Sequence, residues 1–141
     1  MSEFFHFVIS HWALSAAFLF ILMLLVMTEM QRKVLGFKEV TPAQAVQLMN
    51  RDNAVVFDVR EDQEYRSGHI VGAVNVPVGL LESRVNELNV DREKPILVYC
   101  RTGQRAATAG ASLGKMGYSK LFKLSGGVLA WQSANLPLEK S

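Results

Sequence analysis

A single cysteine, Cys100, stands in the stretch VYCRTGQRAA, residues 98–107. Arg101 and Arg105 lie beside it, with Thr102, Gly103 and Gln104 between them. A lone thiol cannot close an internal disulfide, so it is either an inert buried side chain or a reactive one, and a reducing compartment suits it. Only the thiolate is a good nucleophile, and neighbouring cations and inward-turned backbone N–H groups favour it. Gly103 lets a short loop turn tightly with its amides inward. The alanines from Ala106 onward open a helix whose first N–H groups have no partner inside the helix, and such a terminus makes an anion site. A cation in the first turn opposes the helix dipole at a cost of about 0.3–1 kcal/mol. Folding alone would favour Asp, Ser or Thr near that terminus. Arg105, with Arg101 nearby, makes sense if an anion binds there or if the thiol ionises. A cysteine after an apolar strand is commonly an inert small hydrophobe, but the strand end, glycine, arginines and helix start together favour the reactive reading.

The elements around this loop must place it at one edge of a sheet. PILVYC (95–100) is an apolar strand run, and AATAGASLGKMGY (106–118) is a helix rich in alanine that can sit close to the sheet. Upstream, Thr41 is a suitable N-cap and Pro42 a suitable first residue for a helix through Met49. AVVFDV (54–59), AVNVP (73–77) and KLFKL (120–124) read as strands, while EDQEYRSG (61–68), GLLESRVNEL (79–88) and GGVLAWQS (126–133) read as a helical turn and two helices. Strands and helices alternate, and the strands are uniformly apolar. That pattern belongs to a parallel sheet buried on both faces. In open sheets of this kind ligands bind beyond the C-terminal ends of the strands, where Cys100 falls.

The chain has 141 residues, 50% of them hydrophobic and 20% charged, with a net charge of +2, which describes one folded domain and gives no reason to expect nucleic acid. The apolar residues are unevenly spread. From Phe4 to Thr28 no Asp, Glu, Lys or Arg occurs. As one helix this segment would rise about 37 Å, enough to cross a hydrocarbon core of about 30 Å. It lacks the basic leader and small-residue cleavage site of a signal peptide. Arg32, Lys33 and Lys38 follow the segment and no Lys or Arg precedes it, so the N-terminus is expected outside and the rest in the cytoplasm. The expected organisation is a transmembrane anchor at 4–28, a linker at 29–37 and a folded domain at 38–138. His6 and His11 are read as interfacial, and His69 as structural with Glu64 as its partner. No metal or cofactor is expected.

The segments VVFDVREDQEYRSGHIVGAVNVP (55–77), ILVYCRTGQRAATAGASLGKMGY (96–118) and LSGGVLAWQSANLPLEK (124–140) together resemble the signatures of the rhodanese (thiosulfate sulfurtransferase) family, in order. With the apolar segment in front, the chain is similar to small, single-domain rhodaneses of the bacterial cytoplasmic membrane. The resemblance implies a three-layer α/β/α fold with a five-stranded parallel sheet, preceded by one transmembrane helix. It implies that Cys100 accepts a sulfane sulfur from thiosulfate or a persulfide, holds it as a persulfide and yields it to cyanide or another thiolate. The amides of Arg101, Thr102, Gly103, Gln104 and Arg105 would cradle that sulfur, and Arg105 with Arg101 would bind the anionic donor. Asp58 and Arg60 would support the loop from the neighbouring strand, with Arg60 toward the pocket; an ordinary strand-end ion pair is the alternative. Phosphatases with a catalytic cysteine resemble Cys, five residues, Arg; here four residues separate Cys100 from Arg105, a smaller cradle suited to sulfur. A membrane-tethered docking module recruiting a protein partner is the second function compatible with this reading.

Overall fold

The computed structural model describes residues 1–34 and 37–141, with side chains for all of these except 31–34 and 37. Leu35 and Gly36, inside the expected linker, lie outside the described residues. The chain forms two units divided at Val34.

The first unit holds helices α1 (Ser2–Ser10) and α2 (Trp12–Val34). The apolar segment is therefore two helices, where one was expected. The break falls at His11, which follows Ser10; both are indifferent helix formers, and His11 leaves helical geometry with φ −121° and ψ 40°. Its ring lies 4.8 Å from that of Phe7. With 23 residues, α2 still rises about 34 Å. Its window Trp12–Met30 is long and apolar enough to cross a membrane. α2 runs on to Val34, so the first part of the expected linker is helical.

The second unit alternates strands and helices as its apolar runs predict. β1 (Phe37–Val40) leads into α3 (Pro42–Arg51), β2 (Val55–Asp58) into α4 (Asp62–Ser67), and β3 (His69–Ile70) precedes β4 (Val74–Asn75). α5 (Leu81–Leu88), β5 (Ile96–Tyr99), α6 (Gln104–Lys115), β6 (Leu121–Leu124), α7 (Gly127–Ser133) and β7 (Leu138–Glu139) complete it. β1, β6, β5, β2 and β4 form one sheet in that order, all pairs parallel, with β5 at its centre. Thr41 caps α3 as expected, and Gln44 completes a capping box with it.

Both faces of the sheet are covered. On one, Phe57, Ile96, Val98 and Leu121 pack with Val85, Ala106, Ala109 and Leu113 of α5 and α6. On the other, Val56, Leu97, Tyr99 and Leu124 pack with Ala45, Val128 and Trp131 of α3 and α7. Each fully buried large apolar side chain here stabilises the fold by about 1.5–3 kcal/mol. Cys100 belongs to the α6 face. The small residues Ala106, Ala109 and Gly110 are buried against the sheet, which lets the start of α6 stand close to the end of β5.

Two strands were not foreseen. β3 and β7 pair antiparallel, His69 opposite Glu139 and Ile70 opposite Leu138. Two-residue strands carry too little periodicity to be read from a sequence. Their pairing ties the C-terminal segment to the chain that follows α4.

Candidate active site

β5 is buried along its whole length, so it fixes the position of the residue that follows it. That residue, Cys100, is 1% exposed. Its Sγ accepts a hydrogen bond from the Gly103 N–H at 3.0 Å. Gly103 makes this turn at φ 126°, a conformation that L side chains rarely adopt. α6 begins at Gln104, two residues earlier than the alanine run predicts, so Gln104 and Arg105 belong to its first turn. Among the described residues, the amides of Arg101, Thr102, Gln104 and Arg105 have no acceptor within the protein. One loop amide, that of Gly103, thus meets the thiol, and the other four carry no partner in the protein.

Two carbonyls of the loop are held by the last helix. Val128 N–H donates to the Cys100 carbonyl at 2.9 Å and Leu129 N–H to the Arg101 carbonyl at 3.4 Å. The approach is so close that a Cβ on Gly127 would stand 2.4 Å from both carbonyl oxygens. The Gly126–Gly127 turn therefore lies against the cysteine loop.

Asp58 and Arg60 form a buried pair at the end of β2. The Asp58 carboxylate accepts from Arg60 Nε at 3.0 Å and from Arg60 Nη2 at 2.6 Å. The Tyr99 hydroxyl donates to Asp58 at 2.6 Å and accepts from the Ile70 N–H at 3.0 Å. Arg60 Nη2 also donates to the Gly68 carbonyl at 2.7 Å. Burial pulls the Arg60 guanidinium down, but the hydrogen bonds and charge of Asp58 outweigh it, and the net shift is upward. Burial, and then the Asp58 charge, push the Tyr99 hydroxyl far above its ordinary range, so it remains a donor. Tyr99 immediately precedes Cys100, so this network fastens the strand end that carries the thiol. The sequence pointed to Asp58 and Arg60 as supports; it gave no sign of Tyr99, because a tyrosine in an apolar strand looks like core.

Arg105 is engaged differently from the expectation. Its Nη1 and Nη2 donate to the Glu64 carboxylate at 2.8 and 2.9 Å. The hydrogen bonds from Arg105 hold the Glu64 carboxyl down to about 2, against some burial that opposes the shift. The helix-dipole cost of Arg105 is offset by this carboxylate, so its position does not by itself require a bound anion. Glu64 is not the partner of His69. His69 is buried, with Nδ1 2.8 Å from the Tyr65 carbonyl oxygen and Nε2 3.2 Å from Glu139, and its ring stacks on Tyr65. It joins β3 to β7 and stands as the structural residue it was read to be.

Lys123 was missed. A Cβ on Gly103 would lie 3.7 Å from its Nζ, so this ammonium sits beside the loop, paired with Glu39 at 2.8 Å. The signal was present: a lysine inside the buried strand LFKL has to find a polar partner.

The pattern of the rhodanese-like domain matches residues 41–134. Thiosulfate sulfurtransferase GlpE of Pseudomonas putida is 34% identical over 103 residues, covering 73% of this chain and 91% of that protein. YibN of Escherichia coli K12, a protein described as uncharacterized, is 33% identical over 139 residues, 98% of this chain and 97% of its own. Among solved structures, the polysulfide-sulfur transferase homodimer of Wolinella succinogenes superposes with a TM-score of 0.66 at 26% identity, over 82% of this chain and 89% of that one. The fold is thus shared with proteins named for moving sulfur, and the chain belongs to the rhodanese family.

Proposed function

We propose that the chain is a membrane-anchored sulfurtransferase working through a persulfide on Cys100. The observation that carries this reading is the Gly103 N–H at 3.0 Å from Sγ within a loop whose remaining amides lack protein acceptors. Such a ring stabilises a sulfur that bears negative charge, both before and after it receives a second sulfur. With thiosulfate as donor, the Cys100 thiolate attacks the outer sulfur. A new S–S bond forms as the old one breaks, and its electron pair leaves with sulfite. An acceptor thiolate or cyanide then attacks the terminal sulfur, and the Cys100 thiolate leaves. Neither step needs an outside oxidant or a general base. Arg101 and the outer face of Arg105 supply the positive field that draws in an anionic donor.

The α2 window supports an anchor by length and composition, and Arg32, Lys33 and Lys38 after it favour a domain facing the cytoplasm. The free thiol fits that side. The test is intact-protein mass spectrometry after exposure to thiosulfate or a persulfide. Wild type is expected to gain one sulfur that cyanide removes, and Cys100→Ala none while remaining folded. A wild type that never gains sulfur sinks the enzyme reading, and a protein partner retained by Cys100→Ala would favour docking.

A further inference from the structure

A cleft of about 450 Å³ opens beside the cysteine loop. It reaches the loop through Arg101, and its walls include Arg60, Val128, Leu129, Leu138 and Lys140. This volume suits a small organic molecule and far exceeds what cyanide or thiosulfate fills. Its charge is one-sided. Glu64, its one acid, is held by Arg105, and Arg60 is matched by Asp58. Arg101 and Lys140 pair with no carboxylate among the described residues. Arg60 adds a directed donor. Among the described residues its Nη1 meets no acceptor, yet no buried side-chain nitrogen or oxygen goes unmatched, so Nη1 faces accessible space. Leu129, 42% exposed, and Leu138 add apolar lining to the same cleft.

Resting on the sulfurtransferase reading above, we infer that this cleft selects the sulfur partner: a low-molecular-weight thiol, or its persulfide, bearing two carboxylates on a short apolar stem. The carboxylates lie toward Arg101 and Lys140, the stem lies on Leu129 and Leu138, and the sulfur reaches Cys100 over the loop. In the accepting direction the thiolate attacks the terminal sulfur of the Cys100 persulfide. The S–S bond to Cys100 breaks, its electron pair returns to the Cys100 thiolate, and the partner leaves as a persulfide anion. The donating direction is the reverse. Lys140 is the specificity-determining residue, contributed by the segment that β7 fastens to β3.

The full chain in a neutral detergent is loaded with thiosulfate. Its rate of sulfur transfer to mercaptosuccinate, a dicarboxylate, is then divided by its rate to neutral 2-mercaptoethanol. This ratio is expected to fall about fivefold in Lys140→Gln and further in Lys140→Glu, the change residing in KM for mercaptosuccinate. It is also expected to fall as salt is added. A ratio equal in wild type and Lys140→Glu overturns the inference. A second arm uses S-methylmercaptosuccinate, which cannot take sulfur, and follows the methyl resonances of Leu129 and Leu138. Shifts at both that weaken in Lys140→Glu are expected, and unmoved methyls overturn the inference. If thiosulfate loads no sulfur on Cys100, the sulfurtransferase reading has failed, and the thioether arm alone decides the cleft.

Discussion

Asp58 with Arg60 and Glu64 with Arg105 are both forked arginine–carboxylate pairs, and both flank the same cysteine loop, yet their surroundings differ. In the first, the side chains are 0% and 7% exposed, and the carboxylate also takes the Tyr99 hydroxyl. In the second they are 34% and 38% exposed, and the pair bridges α4 to the first turn of α6. A buried pair is costly to break because the survivor is left charged without a partner. A half-exposed pair is cheap to break because water takes over. The inner pair is therefore a fixed support for the strand end, and the outer one an adjustable cation at the mouth of the loop.

Removing the inner carboxylate is the strongest way to test that contrast. Asp58→Asn leaves Arg60 without its counter-charge and is expected to cost about 3 kcal/mol, lowering Tm by about 12 °C or more. Thermal unfolding of wild type and variant checks it. A loss as small as that of an exposed pair would remove the distinction. Tyr99→Phe comes next. It deletes one hydroxyl, leaves the Ile70 N–H without its acceptor and leaves Asp58 Oδ2 to Arg60 alone, an expected loss of about 1–3 kcal/mol in chemical unfolding.

The outer pair yields the smallest effect on stability and a gain in binding. Glu64→Gln is expected to change unfolding free energy by less than about 1 kcal/mol. It frees Arg105, so KM for thiosulfate is expected to fall about threefold in steady-state assays. Unchanged KM would mean that Arg105 does not meet the donor. The same pair has a pH signature. The Glu64 carboxyl lies at about 2 in the folded protein and at 4.5 ordinarily. Its lowered value means that its contribution is complete above 4.5 and fades as pH falls toward 2. Wild type and Glu64→Gln are therefore expected to differ above 4.5 and to converge near 2 in acid unfolding.

What the sequence disclosed depended on distance along the chain. The strand ending at Cys100, the tight turn at Gly103 and the Thr41 cap are local, and their residue types announced them. The partner of Arg105 is Glu64, from another helix, and the nearer-looking match of Glu64 with His69 was wrong. The Tyr99 hydroxyl joins β5 to β2 across the sheet, and β3 with β7 joins segments far apart. Such pairings depend on which strands lie side by side, and a single sequence does not state that. The break at His11 was missed for another reason: hydropathy reports whether a segment is apolar, and says little about backbone geometry at one residue.

The meeting of Gly127 with the cysteine loop has a consequence for how the loop presents itself. Two carbonyls are drawn backward onto the N–H groups of Val128 and Leu129. Those two acceptors are thereby occupied by the last helix, while the Gly103 N–H is turned to the thiol. Unmatched N–H groups favour a ligand that brings electron-rich acceptor atoms over one that presents donors. The last helix of the domain thus braces the cysteine loop although it contributes no side chain to the thiol, and a methyl group at residue 127 would push the loop away without touching the sulfur.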